Sequence, residues 1–355
     1  MEDLPSLVKG LCDPARTDAY LAGGVCRAGG PAFLWGRTRP ETEPAAISVT
    51  VRMRCASVTK MATARLACTL AANGALDLDA PAALPVADAP SLAQLLSHTS
   101  GFTDRAGYVI EPPTTPDAHL SDGEMVIRSH APGAYFRYAN LNYVLAGLLI
   151  ERALGERLDL LMRRYVLDPA GIDGGLNWTG VRDRTRLPMY QRRGEVHDLE
   201  IDGPDGDWDA DLIWRDGRGV SLSGYRIGQD TMLLSPHAGL RASLPELARL
   251  AAMLLDGSAA ARLMTTPRWN ASMPGDAAGG LFPAFGLGCT ILAAPGLPVL
   301  LGHAGHALGF TGGAWAIPAT GTAHAYALTG SADQTEGQDG ESFFSEEERA
   351  ILRCF

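Results

Sequence analysis

The sequence has very little lysine: of its 30 lysines and arginines, only Lys9 and Lys60 are lysines. It also lacks a long apolar run. The most apolar stretch, residues 143–150, is far shorter than a membrane span. The acidic start has no apolar segment of the kind that forms the core of a secretion signal. We therefore expect a cytoplasmic protein with no membrane partner.

Excess positive charge is missing as well. The formal net charge of −10 and the isoelectric point near 5.3 argue against nucleic acid as a partner. The cysteines show no CxxC or metal-ligand spacing, so we interpret them as small buried residues in a reducing compartment, not as disulfides or metal ligands. They are Cys12, Cys26, Cys55, Cys68, Cys289 and Cys354.

The 355 residues are 46% hydrophobic, enough for two domains or one large one. Strand patterns lie near both ends, at 19–28, 31–38, 45–55, 297–305, 309–318 and 322–330. Helical patterns lie at 57–74, 141–155, 157–167, 243–257 and 345–355. The sequence predicts an α+β fold, with a mostly antiparallel sheet from both termini flanked by helices and an inserted all-α domain. Residues 1–85 and 290–355 would form the sheet domain and 86–289 the insertion, with a long ordered loop or lid at 180–235.

The first candidate site is the segment RCASVTKM, residues 54–61, which contains Ser57 and Lys60. Residues three apart on a helix share one face, so the two side chains would be close together. A serine hydroxyl becomes a good nucleophile when a base removes its proton. A lysine whose pKa is lowered by burial can do this, whereas arginine stays protonated. A site that needs a removable proton thus explains a lysine in a chain that otherwise uses arginine.

Two further motifs carry polar groups that could complete such a site. Tyr138 and Asn140 precede a helix; a phenol there can relay a proton and an amide can hold a carbonyl or the lysine. The alternative is that Tyr138 packs and Asn140 caps the helix.

On a later strand pattern, His303 is followed by Gly305, which would let a substrate backbone approach closely. The backbone N–H groups of His306 and Ser57 could form an oxyanion hole.

The other histidines are interpreted as structural. His98 belongs to the segment His98-Thr99-Ser100-Gly101, which could be mistaken for part of a catalytic triad. We interpret it as a turn in which Thr99 and Ser100 bond backbone groups before Gly101. The remaining structural histidines are His119, His130, His197, His237 and His324.

Taken together, these motifs resemble the serine β-lactamase and penicillin-binding-protein superfamily. The order Ser-Val-Thr-Lys, Tyr-Ala-Asn and His-Ala-Gly, with LLSHTSG at 95–101, is most similar to the branch of class C β-lactamases, DD-peptidases, D-aminopeptidases and related esterases. The resemblance implies that Ser57 is the acylated nucleophile and that Lys60 accepts its proton or stabilises the acceptor. It implies Tyr138 as general base, Asn140 and His303 as substrate-binding residues, and oxyanion amides from Ser57 and His306. It also implies a mostly antiparallel sheet with an all-α insertion.

One departure from the pattern concerns the third motif. Class C β-lactamases typically have Lys-Thr-Gly, where this chain has His303-Ala304-Gly305. Lysine gives permanent charge for a substrate carboxylate, whereas histidine near neutral pH gives partial charge at most. We therefore expect a serine hydrolase for small esters or D-amino-acid-type peptides and amides, with no metal or organic cofactor. The alternatives are an acyltransferase using the same acyl-enzyme, a β-lactamase, or a non-catalytic binding protein of the same fold.

Overall fold

The structure is a computed structural model that describes residues 4–111, 113–121, 129–276, 284–332 and 344–355. The helices are α1 (Leu4–Leu11), α2 (Thr59–Ala72), α3 (Leu92–Leu96), α4 (Pro116–Ser121), α5 (Leu141–Leu154), α6 (Leu158–Met162), α7 (Leu244–Ala252), α8 (Ala259–Thr265) and α9 (Glu346–Leu352). Short 3-10 turns lie at Ala56–Val58, Thr231–Leu234 and Met253–Leu255, and a π-helical turn follows α6 at Arg163–Leu167.

The strands of the first half are β1 (Ala22–Arg27), β2 (Ala32–Gly36), β3 (Ala45–Ala46), β4 (Met53–Arg54), β5 (Gly175–Leu176), β6 (Met189–Arg193) and β7 (Val196–Ile201). The later strands are β8 (Leu212–Ile213), β9 (Gly219–Val220), β10 (Leu240–Ala242), β11 (Trp269–Asn270), β12 (Ala284–Phe285), β13 (Thr290–Leu292), β14 (Leu300–Ala307), β15 (Phe310–Ile317) and β16 (Thr322–Thr329).

One large antiparallel sheet joins the two ends of the chain. Its order is β11-β12-β13-β14-β15-β16-β1-β2-β3. The N-terminal β1 pairs with the C-terminal β16 from Ala22↔Thr329 to Arg27↔His324. Strands β14 and β15 are joined by a two-residue turn in which Leu308 and Gly309 both have positive φ. Such a turn suits the right-handed twist of a hairpin. The predicted α+β class with a mostly antiparallel sheet from both termini is confirmed.

Helices cover both faces of this sheet. Helix α7 packs on β15, β16 and β1, and its N-terminus has a capping box, in which Ser243 N donates to Glu246 Oε2 at 2.7 Å. On the opposite face, α1 and α9 enclose a second apolar cluster that includes Trp315 and Leu328. Helix α2 is buried along most of its length, and its many alanines let α5 and α8 approach it. This burial positions the start of α2 between the sheet and the helical layer.

Most predicted helices are confirmed, including the left-handed Gly155 that ends α5. The single strand predicted over 45–55 is wrong: only β3 and β4 form, because Ser48 and Thr50 make a local turn in which Thr50 N donates to Ser48 Oγ. The segment 180–235 is also not simply a loop, since it forms the antiparallel pairs β6–β7 and β8–β9. Its Gly and Asp content concealed these short strands.

The domain boundaries and the cytoplasmic location stay predictions. Strands β11 and β12 and helix α7 lie within 86–289, yet they join or pack on the large sheet. None of the helices in the described part of the chain is long and apolar enough to cross a membrane. The cysteines are free thiols, and all are buried as predicted except Cys354, which is exposed near the end of the chain.

Candidate active site

Ser57 and Lys60 lie together where the 3-10 turn Ala56–Val58 runs into α2. Lys60 Nζ is 2.9 Å from Ser57 Oγ, within hydrogen-bond distance. The preceding Ala56 has φ of 45°, a left-handed conformation that is uncommon for a residue with a side chain and often marks a functional site. The turn is fixed by Thr59, whose hydroxyl donates to Ala56 O and accepts from Leu240 N of β10. The predicted proximity of the two side chains is therefore confirmed.

The Lys60 ammonium group is completely buried, with 0% of the side chain exposed. Its Nζ also donates to Asn140 Oδ1 at 2.8 Å and to His237 O at 3.1 Å. Within the described residues no carboxylate forms an ion pair with it. Burial lowers the pKa of Lys60 to about 7, although Asp104 opposes this shift and Arg54 adds to it. With this pKa, about half of the molecules have a neutral Lys60 that can accept a proton at pH 7.

Asn140 is held in place by Asp104, a residue that the sequence analysis missed. One Asp104 carboxylate oxygen accepts from Asn140 N at 2.8 Å and from Asn140 Nδ2 at 3.0 Å. The other accepts from Leu141 N at 3.0 Å, so Asp104 satisfies the first N–H groups of α5 from outside the helix. Asn140 occupies the N-cap position without a side-chain cap hydrogen bond of its own, because its amide oxygen faces Lys60. No local pattern links residues 36 positions apart, and this explains the omission.

Tyr138 lies between Lys60 and His98. Its ring centroid is 4.9 Å from Lys60 Nζ and 4.3 Å from the centroid of the His98 ring. His98 Nδ1 accepts from Ala139 N at 3.2 Å and lies 3.2 Å from Asn142 Nδ2, and burial lowers its pKa well below the ordinary value. His98 therefore supports the Tyr138 segment as a neutral ring, consistent with the predicted structural role. The catalytic role of Tyr138 stays a prediction.

The turn that contains His98 is structural, as the sequence predicts. Ser100 Oγ accepts from Phe102 N at 3.1 Å and donates to Asn142 Oδ1 at 2.6 Å. Gly101 has φ of +83°, and a Cβ there would lie 2.0 Å from His130 O. Only glycine fits this position, and the turn consequently packs tightly beneath the Tyr138 segment.

Strand β14 brings His303 and Gly305 to the same site. His303 is 2% exposed, and its ring centroid is 6.1 Å from that of Tyr138. Burial and the nearby Lys60 lower the pKa of His303 to about 3, so the ring is neutral. A Cβ at Gly305 would lie 2.8 Å from Cys55 O and 3.1 Å from Ser57 N. The glycine therefore permits close approach of the chain's own backbone at the nucleophile, and its predicted role toward a substrate backbone stays a prediction.

His306 does not direct its side chain into the same space. Its Nε2 is 2.9 Å from Glu348 Oε1, on the face of the sheet that packs against α9. The prediction concerned only its backbone N–H, which stays a candidate for the oxyanion hole. The substrate-binding roles of Asn140, His303, Gly305 and His306 remain predictions.

A cavity of about 320 Å³ lies near Lys60: its lining includes His237, whose carbonyl accepts from Lys60 Nζ, although neither Ser57 nor Lys60 lines it. The lining also includes Arg54, Tyr108, His306 and Trp214 of the predicted lid segment. A larger cleft of about 530 Å³ lies elsewhere, between residues 79–99 and 132–133, and contains none of the candidate catalytic side chains. Among the described residues, no group of three or more His, Cys, Asp or Glu has an arrangement suited to a metal ion.

Comparisons with known proteins concern the family and the fold. A family model described as Beta-lactamase matches residues 21–342. The D-amino acid amidase from Ochrobactrum anthropi SV3, solved with L-phenylalanine amide, is 20% identical, with a TM-score of 0.69 over 99% of this chain and 97% of that chain. A D-stereospecific amidohydrolase from Streptomyces sp. is 19% identical, with a TM-score of 0.65 over 95% of this chain and 97% of that one. The octameric penicillin-binding protein homologue from Pyrococcus abyssi is 20% identical, with a TM-score of 0.70 over 99% of this chain and 76% of that one.

Proposed function

The chain belongs to the β-lactamase family, and from this membership and the geometry of its site we propose that it is a serine hydrolase that forms an acyl-enzyme on Ser57. The observation that carries the proposal is the distance of 2.9 Å between Ser57 Oγ and the Nζ of a fully buried Lys60. A nucleophile within hydrogen-bond reach of a base, with the base held by further groups, is the arrangement that covalent catalysis requires. Asn140 and the carbonyl of His237 hold this base.

The first half of the reaction transfers the acyl group to the enzyme. Neutral Lys60 takes the hydroxyl proton while Ser57 Oγ bonds to the substrate carbonyl carbon, and the carbonyl electron pair moves to its oxygen. The resulting oxyanion accepts hydrogen bonds from the N–H groups of Ser57 and His306. When the intermediate collapses, the bond to the leaving group breaks, and the leaving group takes a proton through Tyr138. The product is an ester on Ser57.

The second half releases the acyl group. Water attacks the ester carbonyl and gives up one proton to the base, and the bond between the acyl carbon and Ser57 Oγ then breaks. Ser57 Oγ regains a proton from Lys60, and the acyl group leaves as a carboxylic acid. An amide substrate yields an amine or ammonia from the first half, and an ester yields an alcohol.

The substrate classes that we propose are amides of D-amino acids and small esters. Two of the similar structures are a D-amino acid amidase and a D-stereospecific amidohydrolase, both of nearly the same length as this chain. The neutral His303 also differs from the permanently charged lysine of the class C pattern, and this difference favours an amidase or esterase over a dedicated β-lactamase.

The proposal is tested by covalent labelling combined with hydrolysis. A fluorophosphonate probe should add once to the wild-type protein, and peptide mass spectrometry should locate it on Ser57. The Ser57→Ala variant should lose both the label and the hydrolysis of D-phenylalanine amide and 4-nitrophenyl butyrate. The exposed Ser223→Ala variant is the matched control and should retain both. Labelling that persists in Ser57→Ala, or a wild-type protein that no probe labels, would contradict the proposal.

A further inference from the structure

The cavity lined by Arg54 and His237 is basic, although the protein as a whole is acidic. Its lining includes Arg54, Arg215 and Arg241 and contains no aspartate or glutamate among the described residues. The chain carries a formal net charge of −10, so three arginines around one cavity of about 320 Å³ are a local reversal of its charge. Lys60 lies close enough for its pKa to respond to Arg54. The cavity therefore places positive charge within electrostatic reach of Lys60.

Arg241 has a partner inside the protein. Its Nε donates to Asp202 Oδ2 at 2.8 Å and its Nη2 to Asp202 Oδ1 at 3.1 Å, in a bidentate pair that is almost fully buried. This pair neutralises Arg241 and fixes its guanidinium group. Asp202 is therefore already engaged and does not form an ion pair with a second arginine within the described residues.

Arg54 forms no ion pair of this kind within the described residues. It lies directly opposite Arg241 in the β4–β10 pair, where two like charges face each other. Its side chain is only 9% exposed, and within the described part of the chain its buried Nη1 has no hydrogen-bond acceptor. Burial and the adjacent Arg241 lower the pKa of Arg54 to about 10, although the nearby Asp202 and Tyr108 oppose this shift, and Arg54 stays protonated at neutral pH. A buried charge without a partner is destabilising unless something binds it.

The chemistry of the missing partner follows from the shape of the group. A guanidinium group presents two parallel N–H bonds that match the two oxygens of a carboxylate. The neutral His303 cannot supply positive charge for an anionic substrate, so the cation on this side of the site comes from the arginines. Arg215, exposed at the same cavity, adds charge at its mouth.

We infer that Arg54, assisted by Arg215, binds a carboxylate group of the substrate, so that the preferred substrates are esters or amides that carry a negative charge. The inference rests on the proposed function, because it assigns a substrate class to the site of Ser57. The carboxylate could belong to the acyl part or to the leaving group of the substrate, and the two arms of the experiment distinguish them.

The experiment compares charged and neutral esters of the same shape. The acyl arm uses mono-4-nitrophenyl adipate and its neutral methyl ester. The leaving-group arm uses 3-carboxyphenyl butyrate and 3-carbamoylphenyl butyrate. In one of the two arms, whichever places the carboxylate at Arg54, we expect the charged ester to have a kcat/KM at least about tenfold above that of the neutral ester. A wild-type protein that prefers the neutral member in both arms would overturn the inference.

The variants test whether Arg54 causes the preference. Because Arg54 also influences Lys60, the measured quantity is the charged-to-neutral ratio of kcat/KM and not either rate alone. We expect Arg54→Gln to reduce this ratio about tenfold, to near one, and Arg54→Lys to restore part of it. The exposed Arg27→Gln, a matched loss of one charge, should leave the ratio at the wild-type value. A ratio that Arg54→Gln leaves unchanged would contradict the assignment.

A second variant and a binding measurement cover the remaining outcomes. If Arg54→Gln does not fold, Arg215→Gln at the exposed mouth of the cavity should reduce the charged-to-neutral ratio of kcat/KM by about threefold, and an unchanged ratio counts against the subsite.

A binding measurement needs no turnover: Ser57→Ala is titrated calorimetrically with adipic acid monoanilide and with its methyl ester. The acid should bind about tenfold more tightly, and Arg54→Gln should remove the difference.

These measurements separate the two proposals. If neither ester acylates Ser57 but the acid binds more tightly through Arg54, the proposed hydrolase fails and the carboxylate subsite stands. If neutral esters acylate Ser57 and no carboxylate preference appears in rate or in binding, the subsite fails and the hydrolase stands.

Discussion

The lowered pKa of Lys60 gives a specific prediction for the dependence of activity on pH. An ordinary lysine with a pKa of 10.5 is deprotonated in only about 0.03% of molecules at pH 7, whereas a pKa of about 7 gives about one half. Burial thus increases the active fraction of the enzyme more than about 1,000-fold at neutral pH. Since the neutral amine is the required form, kcat/KM should rise with pH, with an inflection near 7, and level off above pH 8.

The assay is the initial rate of 4-nitrophenyl butyrate hydrolysis from pH 5 to pH 9 at constant ionic strength. This substrate does not ionise, so the profile of kcat/KM reports groups of the free enzyme. Below pH 7 the rate should fall about tenfold per pH unit. Burial lowers the pKa of His98 and His237 well below the ordinary value and that of His303 to about 3, so none of these rings should produce an inflection near pH 7. A flat profile from pH 5 to 9, or an inflection near pH 10, would refute Lys60 as the proton acceptor.

Three substitutions test the surrounding structure. Lys60→Arg should reduce kcat by at least about 1,000-fold because arginine keeps its proton. Its control is Lys9→Arg at the other, exposed lysine, which should have no effect. Near-normal turnover in Lys60→Arg would contradict the mechanism. Asp104→Asn removes the charge that raises the pKa of Lys60, so the inflection of the pH profile should move below 7, and a shift to higher pH would be the wrong sign. Gly305→Ala places a methyl group against the backbone of the nucleophile. Thermal unfolding should show a loss of about 1–3 kcal/mol of unfolding free energy, and the hydrolysis assay should show a loss of most of the activity. Gly224→Ala, where a Cβ meets nothing within 4 Å, is its control and should behave as wild type.

The sequence by itself determined the features that depend on local backbone geometry. The i, i+3 spacing puts Ser57 and Lys60 on one helical face, and they are in contact. The capping box of α7 and the left-handed Gly155 at the end of α5 follow from short-range hydrogen bonds and steric limits. The alternating patterns of the terminal strands predicted the sheet for the same reason. These features are encoded within a few residues, so a single sequence reveals them.

Only the tertiary structure decided the properties that arise when distant residues meet. Burial of Lys60, and hence its pKa of about 7, requires the sheet and the helical layer to close around α2. Asp104 reaches Asn140 across 36 residues. Strand β10 brings Arg241 opposite Arg54, and Asp202 forms its bidentate ion pair with Arg241. Desolvation and charge pairing depend on what surrounds a group in space. The spacing of a motif along the chain therefore predicts which side chains are adjacent, and the folded environment sets their charge.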